Sequence, residues 1–434
     1  MTARGAGVHG GGGNGFTDRA ADPNRWRHEA AWAATRLPLE ECLGLDPACY
    51  VDDRFFALEQ EQVFERAWVC VGVAADVVRP GRLLVRRLGG RSIVVTRDGS
   101  TGELHGFLNA CRHRGTELTD VDCEVANTIR CPYHRWAYAL DGTLRAAPYV
   151  DQVPRASFDK ADHSLLPVRV DTWGPLLFAC LDPTTPPLTT WLGDLPERMA
   201  GYRFDEWGKR EEQTITIDAN WKLISENFQE YYHLTWVHPE LAKVSRVADH
   251  YRYQGPGQYC GQTTTPVSAD ERDDWLSMPP LDGLDASDSV SGRFVAIFPN
   301  VLLSVLPNHI FVMRLDPLAP GVTAETCTFL LPEGSLDVDE AAFAPTRKFW
   351  FEVNGEDIDI VQRSQRGLTH GAPPAGPLIG RFEEPLRRFH NILADCMTLD
   401  SLSSIPIRPG DDLSDPAHRL GTAPNPTPPT VDIR

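Results

Sequence analysis

The fold is decided by Cys111-Arg112-His113 and, after seventeen further residues, Cys131-Pro132-Tyr133-His134. Each segment places one thiol and one imidazole on a short loop. Gly115 permits a sharp turn after the first loop, and Pro132 stiffens the second. The stretch between them is long enough to form a hairpin that brings the two loops together. The sequence therefore predicts a site with four metal ligands, which are Cys111, His113, Cys131 and His134.

Two kinds of metal centre use two cysteines and two histidines. One is structural zinc, held by four protein ligands in a tetrahedron. The other is a Rieske [2Fe-2S] cluster, in which both cysteines bind one iron and both histidines bind the other. Zinc fingers usually pair Cys with Cys and His with His along the chain, whereas each loop here carries one of each. The spacing therefore favours the cluster, with Trp136 placed to shield it from solvent. Zinc is the alternative, and a site without metal would need two unrelated coincidences.

Short strands surround these loops. Gly89-Gly90 and Asp98-Gly99 separate the first three strands, and Asp141-Gly142 follows a fourth. The predicted strands are 82–87, 92–96, 104–110 and 136–140. Strands and turns at this spacing predict a small all-β domain over residues 51–165. Apolar spacing predicts helices over 25–50 and 55–68, and we assign the segment 25–50 to the second domain. The glycine-rich residues 1–24 predict a disordered tail.

Beyond residue 165 the pattern predicts an α+β domain over residues 166–407, in which helices pack on an antiparallel sheet. The predicted strands are 173–181, 213–217, 293–299, 301–306, 310–315 and 323–331. The predicted helices are 220–234, with Asn220 as its N-cap, 340–365 and 385–397. From residue 408 the chain is rich in Pro, Asp and Thr, which predicts an extended tail over 408–434.

A second group of candidate ligands lies in the predicted helix 220–234. Glu226, Glu230 and His233 are spaced i, i+4 and i+7, so they would share one helix face. His238 lies five residues beyond His233, and Pro239 predicts that the helix ends there, so that His238 turns back towards His233. Two histidines at this spacing are more often unrelated. A cluster that transfers electrons needs an acceptor, however, and two histidines with one carboxylate form the facial triad of non-haem iron(II).

The chain contains segments that match a known family. Around the first ligand group they are Phe64-Glu65-Arg66-Ala67-Trp68, Asn109-Ala110-Cys111-Arg112-His113-Arg114-Gly115, Cys131-Pro132-Tyr133-His134-Arg135-Trp136 and Asp141-Gly142-Thr143-Leu144. These resemble the Rieske domain of the ring-hydroxylating oxygenase large (alpha) subunits. The segment Glu226-Asn227-Phe228-Gln229-Glu230-Tyr231-Tyr232-His233 is similar to the iron-binding motif of the same family, in the branch of the choline, carnitine and glycine betaine monooxygenases. The resemblance runs from about residue 50 to about residue 397.

The resemblance implies an α+β fold with a small all-β Rieske [2Fe-2S] domain and a helix-grip catalytic domain, assembled as a homotrimer. It also implies a mononuclear Fe(II) held by His233, His238 and an aspartate from a downstream helix. Counting back from Gln365-Arg366-Gly367-Leu368 selects Asp357 as that ligand, with Asp359 as the alternative.

The same resemblance implies a catalytic role for Glu230, which would bridge His134 of one chain and His233 of the next. The aromatic dioxygenases use Asp for this bridge. Members of the quaternary-amine branch often carry Cys where this chain has Tyr231 and Leu234, so the resemblance does not fix the substrate. Tyr231, Tyr232 and Trp236 are candidate aromatic faces near the iron, which a quaternary ammonium group would favour, although aromatic residues at such positions are more often core.

The implied function is that of an oxygenase component that uses O2 to hydroxylate or demethylate a small organic molecule. Its electrons would come from a separate NAD(P)H reductase or ferredoxin, because the sequence has no Gly-rich dinucleotide loop that follows a strand. One alternative is a dioxygenase that cis-dihydroxylates aromatic rings. Another is a zinc-stabilised binding or electron-carrier protein, which would need neither the second ligand group nor so large a second domain.

The amino-acid composition limits which partners the protein can bind and where in the cell we expect it. Forty-two basic residues against 60 acidic ones give a net charge of −18, which argues against nucleic acid or an anionic membrane as the main partner. No apolar stretch reaches the roughly 18 residues that span a bilayer, and residues 1–15 lack the apolar core of a secretory signal. Ten cysteines are too dilute for a disulfide scaffold, so we expect a cytoplasmic protein.

Overall fold

The computed structural model describes residues 22, 24–152, 158–245, 247, 250–264, 278–371 and 374–406. The predicted tails, 1–24 and 408–434, lie outside this part apart from residues 22 and 24. The strands are β1 (Val69–Val73), β2 (Arg82–Leu88), β3 (Arg91–Arg97), β4 (Leu104–Leu108), β5 (Cys123–Glu124), β6 (Ile129–Arg130), β7 (Ala137–Tyr138), β8 (Leu144–Ala146), β9 (Pro167–Trp173), β10 (Leu176–Cys180), β11 (Trp207–Ile217), β12 (His250–Arg252), β13 (Tyr259–Thr264), β14 (Gly292–Ile297), β15 (Val301–Val305), β16 (Ile310–Ala319) and β17 (Val322–Pro332). The α-helices are α1 (Ala48–Val51), α2 (Asp53–Glu59), α3 (Leu188–Leu192), α4 (Leu195–Arg198), α5 (Trp221–Gln229), α6 (Leu234–Val237), α7 (Leu241–Val244), α8 (Glu340–Thr369) and α9 (Glu384–Thr398).

The first sheet has the strand order β1-β10-β9-β4-β3-β2-β5, and its neighbouring strands are antiparallel. Strands β1 and β10 are apolar runs that are buried along their whole length. Strands β9 and β10 form a hairpin, where the sequence predicted one strand over 173–181. Gly174 lies in the turn with φ +52°, a conformation that no strand residue adopts. The sheet therefore continues beyond residue 165, and the division into domains stays a prediction.

A small sheet of β6, β7 and β8 shares an apolar cluster with strands β2, β3 and β4 of the first sheet. Phe107, Tyr138 and Leu140 are buried in this cluster together with Cys111 and Cys131. The two cysteines therefore belong to a packed core, which fixes the loops that carry them.

The second sheet has the order β11-β17-β16-β15-β14-β13-β12 and is antiparallel throughout. The long helix α8 lies on this sheet. Trp350 stacks on Phe311 of β16, with ring centroids 5.1 Å apart, and Phe343 contacts Phe329 of β17 edge-on at 5.3 Å. Helices α5 and α9 pack on β13. A helix held against an antiparallel sheet confirms the predicted α+β fold.

The prediction of one helix over 220–234 is wrong, because α5 ends at Gln229. Asn220 caps its start as predicted, with its side chain accepting a hydrogen bond from the Lys222 backbone N at 3.0 Å. Glu230 then adopts an extended backbone, with φ −110° and ψ 163°. Its carboxylate accepts hydrogen bonds from the backbone N of Tyr232 and of His233, the latter at 3.2 Å, so it caps the next turn.

The prediction of a helix over 25–50 is also wrong. This segment forms two short 3-10 turns, Arg25–Arg27 and Glu29–Trp32, and then α1. Trp32 Nε1 donates to the Trp26 carbonyl at 2.8 Å, and both rings pack on Phe55. Both Trp rings pack on Phe55 of α2, and this packing holds the segment in place without a regular helix. The predicted helix 55–68 is shorter than expected: α2 passes into a π-helical turn, Gln60–Phe64.

Candidate active site

The two ligand loops of the all-β region have the same backbone geometry. In the first, the Gly115 N–H donates to the Cys111 carbonyl at 2.9 Å, and Gly115 has φ +71°. In the second, the Arg135 N–H donates to the Cys131 carbonyl at 3.2 Å, and Arg135 has φ +60°. A non-glycine residue in this left-handed region is uncommon and is found where the surrounding structure requires it. Each loop thus turns its Cys inward and its His outward in the same way.

The four predicted ligands come together at the tips of these loops. The thiols of Cys111 and Cys131 are buried and lie close enough to interact. Burial raises the pKa of the Cys111 thiol, and the neighbouring Cys131 raises it further. The imidazoles of His113 and His134 are exposed, with ring centroids 4.7 Å apart. The site therefore has a sulfur end in the core and a nitrogen end at the surface.

Trp136 covers one side of the nitrogen end, as predicted. Its ring is buried and stacks on His113 at 4.9 Å with an interplanar angle of 11°. On the sulfur end, the Tyr138 hydroxyl lies 3.2 Å from Cys111 Sγ and accepts a hydrogen bond from the Arg112 backbone N at 3.0 Å. The Tyr138 hydroxyl can therefore donate its own proton to Cys111 Sγ.

The distances between donors distinguish a single metal ion from a cluster. Among the described residues, three or more donor atoms of His, Cys, Asp or Glu lie within 4.8 Å of one another only at His233, His238 and Asp357. A tetrahedral zinc ion would require such close approach among Cys111, His113, Cys131 and His134 as well. Two irons, one at each end, permit the wider spread, so the geometry fits a [2Fe-2S] cluster.

The second ligand group forms where α5 breaks. The extended residue Glu230 and the turn after it separate His233 from α5, and His238 is the C-cap that follows α6. The two imidazoles face each other with centroids 5.2 Å apart. The predicted return of His238 towards His233 therefore depends on two breaks in the helical segment: α5 ends before His233, and α6 ends before His238.

Asp357 of α8 completes this group. Its Oδ1 lies 2.8 Å from His238 Nε2 and 3.6 Å from His233 Nε2, and it accepts a hydrogen bond from Asn227 Nδ2 at 2.6 Å. Neighbouring ligands about 2.1 Å from one ion lie roughly 3 Å apart, so these separations suit a metal ion. Asp359 points elsewhere: its side chain is 57% exposed and forms an ion pair with Arg363 at 2.8 Å.

Each imidazole also contacts a carboxylate through its other nitrogen. Glu230 contacts His233 Nδ1, and Glu356 Oε2 lies 2.7 Å from His238 Nδ1. Burial alone would lower the pKa of His238, but hydrogen bonds and charge from Asp357 and Glu356 outweigh it and raise that pKa. The Nε2–Asp357 contact thus favours a positive charge between the two groups, which a proton or a metal ion can supply. Sequence reasoning missed Glu356, although it is next to the selected aspartate.

Glu226 does not join this group. Its carboxylate accepts hydrogen bonds from the Tyr50 hydroxyl at 2.7 Å and from His390 Nε2 at 3.0 Å. These contacts tie α5 to the N-terminal segment and to α9. Glu226, Glu230 and His233 therefore do not share one helix face as predicted. Glu226 contacts Tyr50 and His390, whereas Glu230 contacts His233.

A cavity opens beside His233, His238 and Asp357. Its wall is largely apolar and comes from α5, the second sheet and α8. The aromatic residues in the wall are Phe228, Phe294, Phe311, Phe349 and Trp350. The three aromatic residues suggested by the sequence do not line it. Tyr231 is buried against His250, while Tyr232 and Trp236 are 48% and 68% exposed. Sequence reasoning did not name these five aromatic residues, which lie far apart in the chain.

No helix in the part of the chain that the structure describes has the length and apolar character to cross a membrane.

Comparison with known proteins gives family matches over both regions that carry these centres. The family model of the ring hydroxylating alpha subunit (catalytic domain) matches residues 204–399, and that of the Rieske [2Fe-2S] domain matches residues 67–157. The chain is 30% identical over 385 residues to the glycine betaine monooxygenase oxygenase subunit of Chromohalobacter salexigens, covering 80% of this chain and 84% of the relative. It is 32% identical over 350 residues to the carnitine monooxygenase oxygenase subunit of Acinetobacter baumannii, covering 77% and 90%.

Solved structures share the fold. A quaternary ammonium Rieske monooxygenase superposes with a TM-score of 0.71 at 23% identity, covering 86% of this chain and 99% of that one. Naphthalene 1,2-dioxygenase with indole bound superposes with a TM-score of 0.69 at 18% identity, covering 90% and 100%. The same architecture therefore occurs in a monooxygenase and in a dioxygenase.

Proposed function

Since the chain belongs to the Rieske oxygenase alpha subunits, we propose that it uses O2 at a mononuclear iron to hydroxylate or demethylate a small organic molecule. One observation carries the proposal. His233 Nε2, His238 Nε2 and Asp357 Oδ1 face one another at the wall of an apolar cavity. Two histidines and one carboxylate leave open positions for oxygen and substrate on iron(II).

In this proposal Cys111, Cys131, His113 and His134 hold the [2Fe-2S] cluster, with the thiolates on the buried iron and the imidazoles on the outer one. The cluster and the mononuclear iron, when bound, supply the electrons that reduce O2. The chain itself keeps the sulfur end dry and leaves the imidazole end exposed, where a partner can approach.

Glu230 and Glu356 orient the iron histidines. A carboxylate accepts the Nδ1–H of an imidazole and so leaves Nε2 with a lone pair for metal. Both histidines make this contact, and their Nε2 atoms are the ones that face Asp357. Asn227 holds Asp357 from a third direction. The chain thereby presets all three ligands.

We propose a homotrimer in which the cluster of one subunit approaches the iron of the next. Glu230 already contacts His233, and its bridge to His134 of a neighbouring subunit stays a prediction. Exposed aromatic residues support an interface on both surfaces. Tyr133 beside the cluster is 57% exposed, and Trp236 beside the iron histidines is 68% exposed. Large aromatic side chains are enriched in protein interfaces.

The proposal includes a separate NAD(P)H-dependent reductase or ferredoxin as the electron donor. A net charge of −18 favours a donor with a basic docking face. It also includes a reducing cytoplasm, because all ten cysteines are free of disulfides.

Cis-dihydroxylation of an aromatic ring is the second candidate. Phe228, Phe294 and Trp350 give the cavity an aromatic wall, which suits a flat apolar substrate. Oxidation under 18O2 separates the two, because a dioxygenase places both labelled atoms in one product and a monooxygenase places one.

Metal and sulfide analysis of anaerobically purified protein tests the proposal. We expect about three irons and about two acid-labile sulfides per chain. His233→Ala should abolish substrate oxidation and lower the iron content by about one, while the visible spectrum of the cluster persists. His370→Ala, at an exposed position just after α8, is the control and should behave as the unmodified protein. One zinc without sulfide, or an active His233→Ala variant, would contradict the proposal.

A further inference from the structure

We infer that Gln262 selects the substrate by accepting a hydrogen bond, so that the cavity takes largely apolar molecules that carry an N–H or O–H group. This inference rests on the proposed function of the same cavity. Gln262 lies in β13, is 7% exposed, and lines the cavity beside Phe228 and Phe294. A polar group in a largely apolar wall is the kind of group that fixes a ligand's orientation.

The orientation of the Gln262 amide is set by its neighbours. Nε2 donates to the Glu230 carbonyl at 3.2 Å and lies 3.4 Å from the Phe228 carbonyl, at the end of α5. A flipped amide would place its oxygen against two carbonyl oxygens, so only one orientation is acceptable. The nitrogen therefore faces the backbone, and the oxygen is left for another partner.

That oxygen makes no hydrogen bond within the described residues, although it is buried. Buried polar atoms are nearly always hydrogen-bonded, and an unsatisfied one is costly. Other polar groups in the wall have partners. Ser245 Oγ lies 3.3 Å from His250 Nε2, and Asn354 Nδ2 donates to Glu325 at 2.6 Å. Gln262 Oε1 is thus the acceptor that a bound molecule can satisfy.

The charge of the wall restricts the substrate further. The described residues that line the cavity include no Lys or Arg, while Glu230 and Asp357 both contribute carboxylates. A substrate carboxylate could therefore not pair with a Lys or Arg side chain among these described residues. Two relatives are named for glycine betaine and carnitine, which both carry a carboxylate, and glycine betaine has no N–H or O–H at all. The cavity of this chain therefore favours a different class: a mostly apolar molecule that has one N–H or O–H donor and no carboxylate.

Indole and 1-methylindole are matched probes, because methylation of the ring nitrogen removes the only N–H donor and adds one methyl group. Calorimetric titration of the iron- and cluster-loaded protein without oxygen should show indole binding about ten-fold more tightly. Glycine betaine should bind more weakly than either. Equal affinities for the two indoles, tighter binding of glycine betaine, or no binding of indole would overturn the inference.

Two variants test whether Gln262 causes the preference for indole over 1-methylindole. Gln262→Leu should lower the affinity for indole about ten-fold and leave that for 1-methylindole within about two-fold. Gln258→Leu is the matched control, because Gln258 Oε1 is also buried without a partner in the described part but does not line the cavity. It should keep the preference. If Gln262→Leu still preferred indole over 1-methylindole, the role assigned to Gln262 would be refuted. If the unmodified protein contained no mononuclear iron or oxidised no substrate, the proposed function would be refuted instead.

Discussion

Glu356 Oε2 lies 2.7 Å from His238 Nδ1, while Nε2 of the same imidazole lies 2.8 Å from Oδ1 of the adjacent residue, Asp357. Consecutive residues of α8 therefore hold both nitrogens of one buried histidine. Asp357 faces the candidate metal position, and Glu356 fixes the ring from behind. Glu230 holds His233 in the same way from another part of the chain. The two histidines thus have carboxylate partners of different origin, one local and one 118 residues away.

Glu356→Ala should weaken iron binding at the mononuclear site by about 10–100-fold, because carboxylates behind metal-binding histidines raise their basicity and fix their orientation. The measurement is an iron(II) titration of protein that has lost its mononuclear iron, followed by oxygen uptake. Glu352→Ala, one turn earlier in α8 and 66% exposed, is the control and should leave the affinity unchanged. Equal affinities in the two variants would show that Glu356 has no such role.

Asp357→Ala should lower the iron content from about three to about two per chain, since it removes one of three ligands. Asp359→Ala should leave the iron content unchanged, because Asp359 is exposed and pairs with Arg363. Both variants change one acid of the same helix to alanine, so their helix propensities and charges are matched. Iron analysis with acid-labile sulfide as the internal reference decides between them. Iron loss confined to Asp359→Ala would reverse the assignment.

The resemblance selected Asp357 with Asp359 as the alternative, and the helix pattern of α8 gives a second reason for that choice. Trp350, Asn354 and Val361 are spaced four and seven residues apart and lie on the buried face of α8. Asp357 falls on that face and Asp359 does not. Strands β14 to β17 of the second sheet were predicted to within a few residues for a similar reason: runs such as Val301–Val305 are mostly apolar and end at turn residues. Strand β11 begins at Trp207, earlier than the predicted 213, and β12 and β13 were not predicted. Local pattern was sufficient wherever neighbours in sequence decide the structure.

Contacts between distant residues could not be predicted in this way. The break in α5 was missed although its cause is local, because helical spacing does not show that the Glu230 carboxylate caps the following turn. The cavity wall combines Phe294 of β14, Phe311 of β16 and Trp350 of α8, and no spacing in the sequence relates them. Residues that were expected beside the iron because of their position, such as Trp236, are exposed instead.

Tyr138→Phe should lower the reduction potential of the cluster without loss of iron or sulfide. The hydroxyl lies 3.2 Å from Cys111 Sγ, and a hydrogen bond to a cluster sulfur stabilises the reduced, more negative state. A redox titration followed by circular dichroism measures the potential. Tyr149→Phe is the control, because Tyr149 is 76% exposed in the same region. An unchanged potential in Tyr138→Phe would mean that the hydroxyl does not donate to the sulfur.

His309 should make the folded state less stable in acid. Its Nε2 accepts from Trp350 Nε1 at 2.6 Å, its Nδ1 lies 2.7 Å from Asn308 Oδ1, and burial lowers its pKa to about 3. Below about pH 6.5 the unfolded chain binds a proton at this position that the folded chain does not bind. Stability therefore falls as the pH decreases from about 6.5 towards 3, by at most about 1.4 kcal/mol per pH unit from this group.

The variant His309→Gln removes that contribution, since glutamine does not titrate and can still accept from the Trp350 indole. Thermal unfolding midpoints between pH 7.5 and 5 measure the effect, and the variant should lose less stability than the unmodified protein over this interval. His370→Gln is the matched control, because His370 is exposed and its substitution should leave the slope unchanged. Parallel pH profiles for all three proteins would show that His309 becomes protonated without unfolding. Trp350 would then lie beside a charged imidazole in the folded protein, and the cavity wall that it forms would change with pH.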